Sequence, residues 1–238
     1  MNQSKVAVVI GIGPGLGRAV ALRFAHEGYS VALMARHGKN LSPVAAEIED
    51  GGGTALSLEV DATEATQVAE AFERVRRELG DPGVLVYNAG AFRMGGLLEL
   101  DPETFEQCWR TNCHGAFLAA RQVLPAMQRR GEGTVILTGA TAALRGSSGF
   151  SALAVGKFGL RALAQSMARE FGPQGIHVAH SIIDGQIDAP RVRERMPGRE
   201  DHTFLKPEAI ADAYWHLHTQ HPTAWTLELD LRPAVEKF

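Results

Sequence analysis

Near its start the chain places four alternating glycines, Gly11, Gly13, Gly15 and Gly17, directly behind the apolar run Val6-Ala7-Val8-Val9-Ile10. Five continuous apolar residues are the pattern of a parallel strand buried on both faces, and Arg18 to Glu27 has the pattern of a helix, so the glycines form the turn between them. Glycine lets the backbone approach a diphosphate, and the amides at the start of the helix, those of Leu16 and Gly17 among them, supply donors and a partial positive charge. This is anion-binding chemistry. A Gly-x-Gly-x-x-Gly fingerprint read from Gly11 would need glycine at position 16, which is Leu16; the spacing that fits is Gly11-x-x-x-Gly15-x-Gly17.

Three further polar residues stand where chemistry could use them. Arg36 follows the apolar run Tyr29 to Ala35. At the end of the second strand of a dinucleotide-binding fold an acid accepts hydrogen bonds from ribose hydroxyls, whereas an arginine accommodates a 2′-phosphate. With Ala35 and Arg36 there, charge favours the phosphorylated cofactor, NADP(H) over NAD(H). Asn112 interrupts a long helical pattern from Pro102 to Arg130, where a weak helix former calls for a reason. Lys157 sits in Gly156-Lys157-Phe158-Gly159-Leu160, ahead of the helical stretch Arg161 to Phe171.

Positioning these groups requires alternating strands and helices. Further strands are expected at Thr54–Val60, Val84–Tyr87, Thr134–Thr138, Ile176–Ile183 and Trp225–Leu231, with helices at Pro43–Asp50, from near Glu64, and from Pro207 to His218. That order predicts an α/β, Rossmann-type doubly wound sheet, mainly parallel, with helices on both faces in three layers. The 238 residues suit a single domain, 1–238. A formal charge of −3 makes nucleic acid an unfavourable partner. Cys108 and Cys113, five residues apart, match no common zinc or redox spacing; no metal site is expected, and the thiols suit a reducing compartment. Residues 1–5 lead straight into the first strand and no apolar run approaches the ~20 residues of a bilayer span, so no membrane partner and a cytoplasmic location are expected.

The glycine spacing, so close to the N-terminus, resembles the short-chain dehydrogenase/reductase family, and the resemblance extends over nearly the whole chain. It implies a seven-stranded sheet, a homodimer or homotetramer packed through the helices at 102–130 and 150–171, and a small-molecule substrate. It also implies several site roles. Asp61-Ala62 matches the place where an aspartate meets the adenine amino group, although Asp61 could equally cap the next helix, and both roles can hold at once. Asn88-Ala89-Gly90 resembles the family's Asn-Asn-Ala-Gly turn beside the cofactor ribose, with Tyr87 in place of the first asparagine. Asn112 matches the asparagine that widens its helix and holds a water leading to the catalytic lysine, and Lys157 matches that lysine. Ile187 matches the residue whose backbone meets the nicotinamide amide, although Asp184 replaces the proline usual before Gly185.

The departure from the family lies in its proton-transfer groups. The family tyrosine lies four residues before the lysine and its serine thirteen before the tyrosine, which gives Leu153 and Ala140 here. A tyrosine seven before the lysine, as in enoyl reductases of the wider family, would be Phe150. Ketone reduction needs hydride on carbon and a proton on oxygen, and neither leucine nor alanine can give that proton or stabilise an oxyanion. Thr138, Thr141, Ser147, Ser148, Ser151, His114 and His180 surround the gap as substitutes, though backbone capping is the expected role of such hydroxyls. Asp184 reads first as a turn former. The segment at about 188–206, which covers the substrate in the family, carries Arg191, Arg193, Arg195 and Arg199 among acids and reads as a mixed-charge solvated loop. Two functions stay open on these residues: an NADP(H)-dependent oxidoreductase with an incomplete catalytic set, or a catalytically inactive NADP(H)-binding protein of the same fold, acting as a sensor or through partners.

Overall fold

The computed structural model describes residues 5–236. In chain order the main elements are β1 (Val6–Ile10), α1 (Leu16–His26), β2 (Ser30–Ala35), α2 (Ser42–Asp50), β3 (Ala55–Glu59), α3 (Ala65–Glu78), β4 (Val84–Tyr87), α4 (Pro102–Trp109), α5 (Gly115–Arg130), β5 (Gly133–Thr138) and α6 (Ser151–Phe171). They continue as β6 (Ile176–Ile183), β7 (Gln186–Ile187), α7 (Pro190–Arg195), β8 (Phe204–Leu205), α8 (Pro207–His218) and β9 (Glu228–Leu231). Seven strands form one sheet in the order β3-β2-β1-β4-β5-β6-β9, and every neighbouring pair is parallel. The order reverses between β1 and β4, the switch point beside which doubly wound sheets bind ligands.

Alternation of side chains along each strand builds two cores, one on each face. Val8, Ile10, Leu85 and Tyr87 join one with α3, α5 and α6, while Ala7, Val9, Val84 and Val86 join the other with α1, α2 and α8. Both faces are therefore covered, which is why the central strands read as unbroken apolar runs.

Two expectations about element limits need correction. The last strand begins at Glu228, not Trp225: a short 3-10 turn at 222–224 precedes it, and the Trp225 ring stacks on His177 with centroids 4.9 Å apart. The polar-apolar alternation of Trp225–Leu227 thus serves a packed turn. Asp61 does not cap α3, whose N-cap is Glu64; its carboxylate closes a tighter local turn by accepting from Thr63 N and Oγ1 at 2.9 and 2.8 Å. Unforeseen was the small parallel pair β7–β8, in which Ile187 lies opposite Leu205.

The helix pattern from Pro102 to Arg130 is continuous but changes pitch. Residues Arg110–His114 form a π turn between α4 and α5. Tyr87, at the end of β4, donates from its hydroxyl to Thr111 O in that turn at 2.7 Å. The phenol is wholly buried and held well above its ordinary pKa by desolvation. It lies where a side chain at position 115 would go: a Cβ on Gly115 would collide with the Tyr87 oxygen and stand 2.7 Å from Ala62 O. Gly115→Ala is expected to cost about 1–3 kcal/mol by overpacking. Tyr87→Phe, which removes the obstructing oxygen, should relieve part of that cost, so a urea-unfolding double-mutant cycle should show the pair less destabilised than the sum of the single changes. Strict additivity would refute the steric account.

Candidate functional site

At the C-terminal end of the sheet the glycine turn divides its labour. Gly11 has φ 99° and lies against the Asn88–Ala89 backbone, where no side chain fits, and a Cβ on Gly17 would run into Gly11 O and Ile12. Gly13 faces open space, and a Cβ on Gly15 would meet only Ala189 Cβ and Asp188 O. The first pair sets the turn; the second leaves its outer surface bare. The amides of Gly13, Leu16 and Gly17 have no acceptor among the described residues, and the first turn of α1 holds no acid. Asn88 ties the far side by donating from Nδ2 to Gly11 O at 3.0 Å.

Arg36, just after β2, is exposed, and its side chain makes no hydrogen bond or ion pair among the described residues. The structure adds a carboxylate that β2 lacks. Glu59, opposite Ala35 on β3, accepts from Gly38 N at 2.9 Å and so pins the loop after Arg36. Asp61 keeps one carboxylate oxygen clear of its Thr63 contacts, and Ala62 beside it is buried.

Asn112 and Lys157 come together from different helices. Asn112 is fully buried in the π turn and donates from Nδ2 to Ala91 O and Cys108 O at 2.8 and 2.9 Å. Gly156 lets α6 close upon it, since a Cβ there would stand 2.7 Å from Asn112 Cβ. Lys157 is 6 % exposed and donates from Nζ to Thr138 O at 2.7 Å. Burial without a counter-charge lowers its pKa to about 8. Gly90 lies beside both side chains, 3.4 Å from Asn112 Oδ1 and 4.0 Å from Nζ as measured from the site of a Cβ.

One turn before Lys157 on α6, at Leu153, opens a cavity of about 800 Å³. Ala140 and Leu153 line it, with Phe92, Met94, Phe150 and Met196 among its other apolar residues. Of the hydroxyls considered as substitute donors, only Thr141 and Ser147 line it. Thr141 is engaged: its Oγ1 donates to Asp184 Oδ1 at 2.5 Å, and Asp184 in turn meets Arg232 at 3.2 Å. Thr138 bonds the buried Tyr214 hydroxyl at 2.9 Å, so it is absorbed in the core. His180 is fully buried under Gly139, its pKa lowered to about 4 by desolvation and by Lys157, which leaves it neutral. His114 stacks between Trp109 and Phe117, with its ring in an aromatic row.

A family model described as short chain dehydrogenase matches residues 5–199. The chain belongs to the short-chain dehydrogenase/reductase family. It is 35% identical over 193 residues to a short-chain dehydrogenase/reductase of Armillaria gallica, covering 80% of this chain and 74% of that one. A solved short-chain dehydrogenase from Rhodopseudomonas palustris superposes with TM-score 0.82 at 40% identity, covering 96% of this chain and 97% of its own. An alcohol dehydrogenase from the archaeon Thermococcus sibiricus, solved with 5-hydroxy-NADP, gives TM-score 0.88 at 27% identity over 98% and 97% of the two chains.

The residues present suit the dinucleotide that short-chain dehydrogenase/reductases bind. Unpaired amides at a helix start, an open glycine face and a free guanidinium at the β2 edge are donors suited to phosphates. Among the described residues no cluster of His, Cys, Asp and Glu could hold a metal, and no helix is long and apolar enough to cross a membrane. Sequence reasoning missed Glu59 and Arg145, the second of which lines the cavity. Strand register would have pointed to Glu59; Arg145 lies in a loop with no periodic signal.

The lysine has a measurable consequence. Because its amine titrates near 8 in the fold and near 10.5 when exposed, folding carries a protonation penalty that is full below pH 8 and disappears as pH rises to about 10.5. Lys157→Met is therefore expected to raise unfolding free energy at pH 7 by about 1–3 kcal/mol, with the gain shrinking toward pH 10.5. Urea unfolding at pH 7 and pH 10 checks it. A gain that grows with pH would contradict the buried-charge account.

Proposed function

We propose that the chain is an NADP(H)-dependent oxidoreductase whose proton-transfer set is incomplete, acting on a small substrate in the cavity at Leu153. The observation that carries this reading is a buried Lys157, close to Asn112 and Gly90, that stands one helical turn after Leu153, which with Ala140 gives a cavity an aliphatic wall. In it, the Gly13, Gly15, Leu16 and Gly17 backbone holds the diphosphate and Arg36 pairs the 2′-phosphate. Asp61 and Ala62 border the adenine, Asn88, Ala89 and Gly90 border the ribose, and Ile187 meets the nicotinamide amide. The dinucleotide, when bound, supplies the hydride. Lys157 has N–H groups beyond the one given to Thr138 O, and these are free to bond ribose hydroxyls. Asn112 fixes the Ala91 backbone and, through Gly156, the approach of α6.

With Ala140 and Leu153 in the catalytic serine and tyrosine positions, no side chain there gives a proton or stabilises an oxyanion. General acid catalysis contributes about 10²–10⁴ in rate and one oxyanion donor about 10²–10³, so simple ketones should turn over slowly, with water or substrate providing the proton. A small, single dinucleotide-binding unit in the cytoplasm fits the free thiols Cys108 and Cys113. The segment 188–206 serves as substrate cover, which is supported by Val192, Arg195, Met196 and Arg199 lining the cavity.

Two experiments test the reading. Arg36→Ala should weaken NADP(H) binding about tenfold or more in calorimetric titration and leave NAD(H) nearly unchanged; equal affinities for both dinucleotides in the native chain would refute the role of Arg36. Ala140→Ser with Leu153→Tyr should add reduction of a simple ketone by NADPH at little change in cofactor affinity. Native turnover of that ketone at several per second would overturn the incomplete-set account. Absence of hydride transfer to any substrate, with NADP(H) bound, would favour the inactive binding protein.

Self-association is the other part of the proposal. Trp109, Phe117, Val155 and Phe158 on α4, α5 and α6 stand 37–45% exposed, an apolar row on the helices expected to pair in a homodimer or homotetramer. Light scattering should give a multiple of 25.6 kDa, and Phe158→Glu should shift it toward that single mass. A native monomer at micromolar concentration would exclude it.

A further inference from the structure

The cavity at Leu153 carries an unbalanced charge. Its lining holds three guanidinia, of Arg145, Arg195 and Arg199, and two carboxylates, of Asp184 and Glu236. Both carboxylates are matched, Asp184 by Arg232 at 3.2 Å and Glu236 by Arg199 at 3.8 Å. Arg199 is further held by Thr203, to which its Nε donates at 2.8 Å. Within the 188–206 segment Arg193 is likewise neutralised, by Asp188 and Asp201. Arg145 and Arg195 alone of these arginines make no side-chain hydrogen bond or ion pair with any described residue. One comes from the loop after β5, the other from the last position of α7, so they reach the cavity from separate elements. In a chain whose formal charge is −3, two unmatched guanidinia on one apolar cavity concentrate positive potential where a ligand must enter.

Resting on the assignment of this cavity as the substrate site, we infer that the substrate is an amphipathic anion: an apolar body against Phe92, Phe150 and Leu153, and a carboxylate or phosphate held by Arg145 and Arg195. Guanidinium binds either anion through paired N–H donors, and both side chains are exposed enough to turn toward it. The apolar wall explains why the anion sits at the exposed side. A carboxylate beside Leu153 would lose its water with no donor in return, whereas beside the two arginines it exchanges water for charge-assisted bonds. The sequence could not separate these two arginines from their neighbours, because placement and pairing, and not residue type, set Arg195 apart: Arg193 is paired, and Arg191 does not line the cavity.

The test compares probes that share a tail and differ in head. Octanoate is titrated against octanamide, and octyl phosphate against octanol, by calorimetry on the native chain saturated with NADP⁺. At least one anion should bind ten times more tightly than its neutral partner. The advantage should fall severalfold as salt is raised and vanish in Arg145→Ala/Arg195→Ala, while NADP⁺ affinity stays unchanged. The arm that shows the advantage identifies the head group. Equal binding of anion and neutral partner in both arms, no binding of any probe, or an advantage that survives the double change overturns the inference. The separate NADP⁺ titration keeps its failure distinct from failure of the cofactor assignment: loss of dinucleotide binding in the native chain would remove the enzyme reading, whereas intact dinucleotide binding with no anion preference removes only the substrate class.

Discussion

A cation buried against one backbone carbonyl is the constraint on which the site depends. Lys157 Nζ meets Thr138 O, and no carboxylate is near enough to neutralise it. Such a group is tolerable only if the surrounding chain is too rigid to let water in and too well packed to let the side chain leave. The sheet provides that rigidity. Thr138 is the last residue of β5 and is held on one side by β6, while its own hydroxyl is satisfied by Tyr214 from α8. On the other side α6 is braced one turn beyond the lysine, where Arg161 forms a two-point contact with Glu228 of β9 at 2.7 and 2.8 Å, and Gln165 adds a third bond to the same carboxylate. The ion pair keeps Glu228 near pKa 2, so the brace persists through the neutral range.

The same economy of space governs the contacts around the lysine. Gly156 against Asn112 and Gly115 against Tyr87 each exchange a side chain for a close approach. The π turn at Arg110–His114 lies amid these contacts. A regular helix from Pro102 to Arg130 would carry no break at Thr111 and Asn112; the wider turn leaves Thr111 O to accept from Tyr87, and the Asn112 carboxamide bonds Cys108 O and the Ala91 backbone. Stability is thus spent where polar groups must be held without solvent.

Much of this was legible in the order of residues. Unbroken apolar runs located the buried strands, β4 with both its ends correct, because a strand covered on both faces and free of polar residues has sharp limits. Gly11 and Gly17 were legible from their spacing behind β1, and the contacts they make leave no room for another residue; Lys157 was legible from the resemblance of Gly156-Lys157-Phe158-Gly159-Leu160 to the family's segment. What escaped depends on register and on pairing across the chain. Glu59 could be assigned to the loop after Arg36 only once β3 was set against β2. The overlong reading of β9 arose because Trp225 and Leu227 alternate with polar residues as a strand would, although Trp225 packs on His177 before the strand begins. Asp61 has the composition of a helix cap and the geometry of a turn; two hydrogen bonds to Thr63 decide between them.

The bond from Asn88 to Gly11 O spans 77 residues of chain. Closing a loop of that length costs about 4 kcal/mol of chain entropy before any contact repays it. The glycine turn is therefore closed on one side by residues far from it in the chain, even though all its own residues lie together. β4, docked on the far side of β1, brings the Asn88–Ala89 backbone against Gly11. The shape of the motif thus depends on a strand outside it, and a change that loosens β4 from β1 would reach the turn without altering any of its glycines.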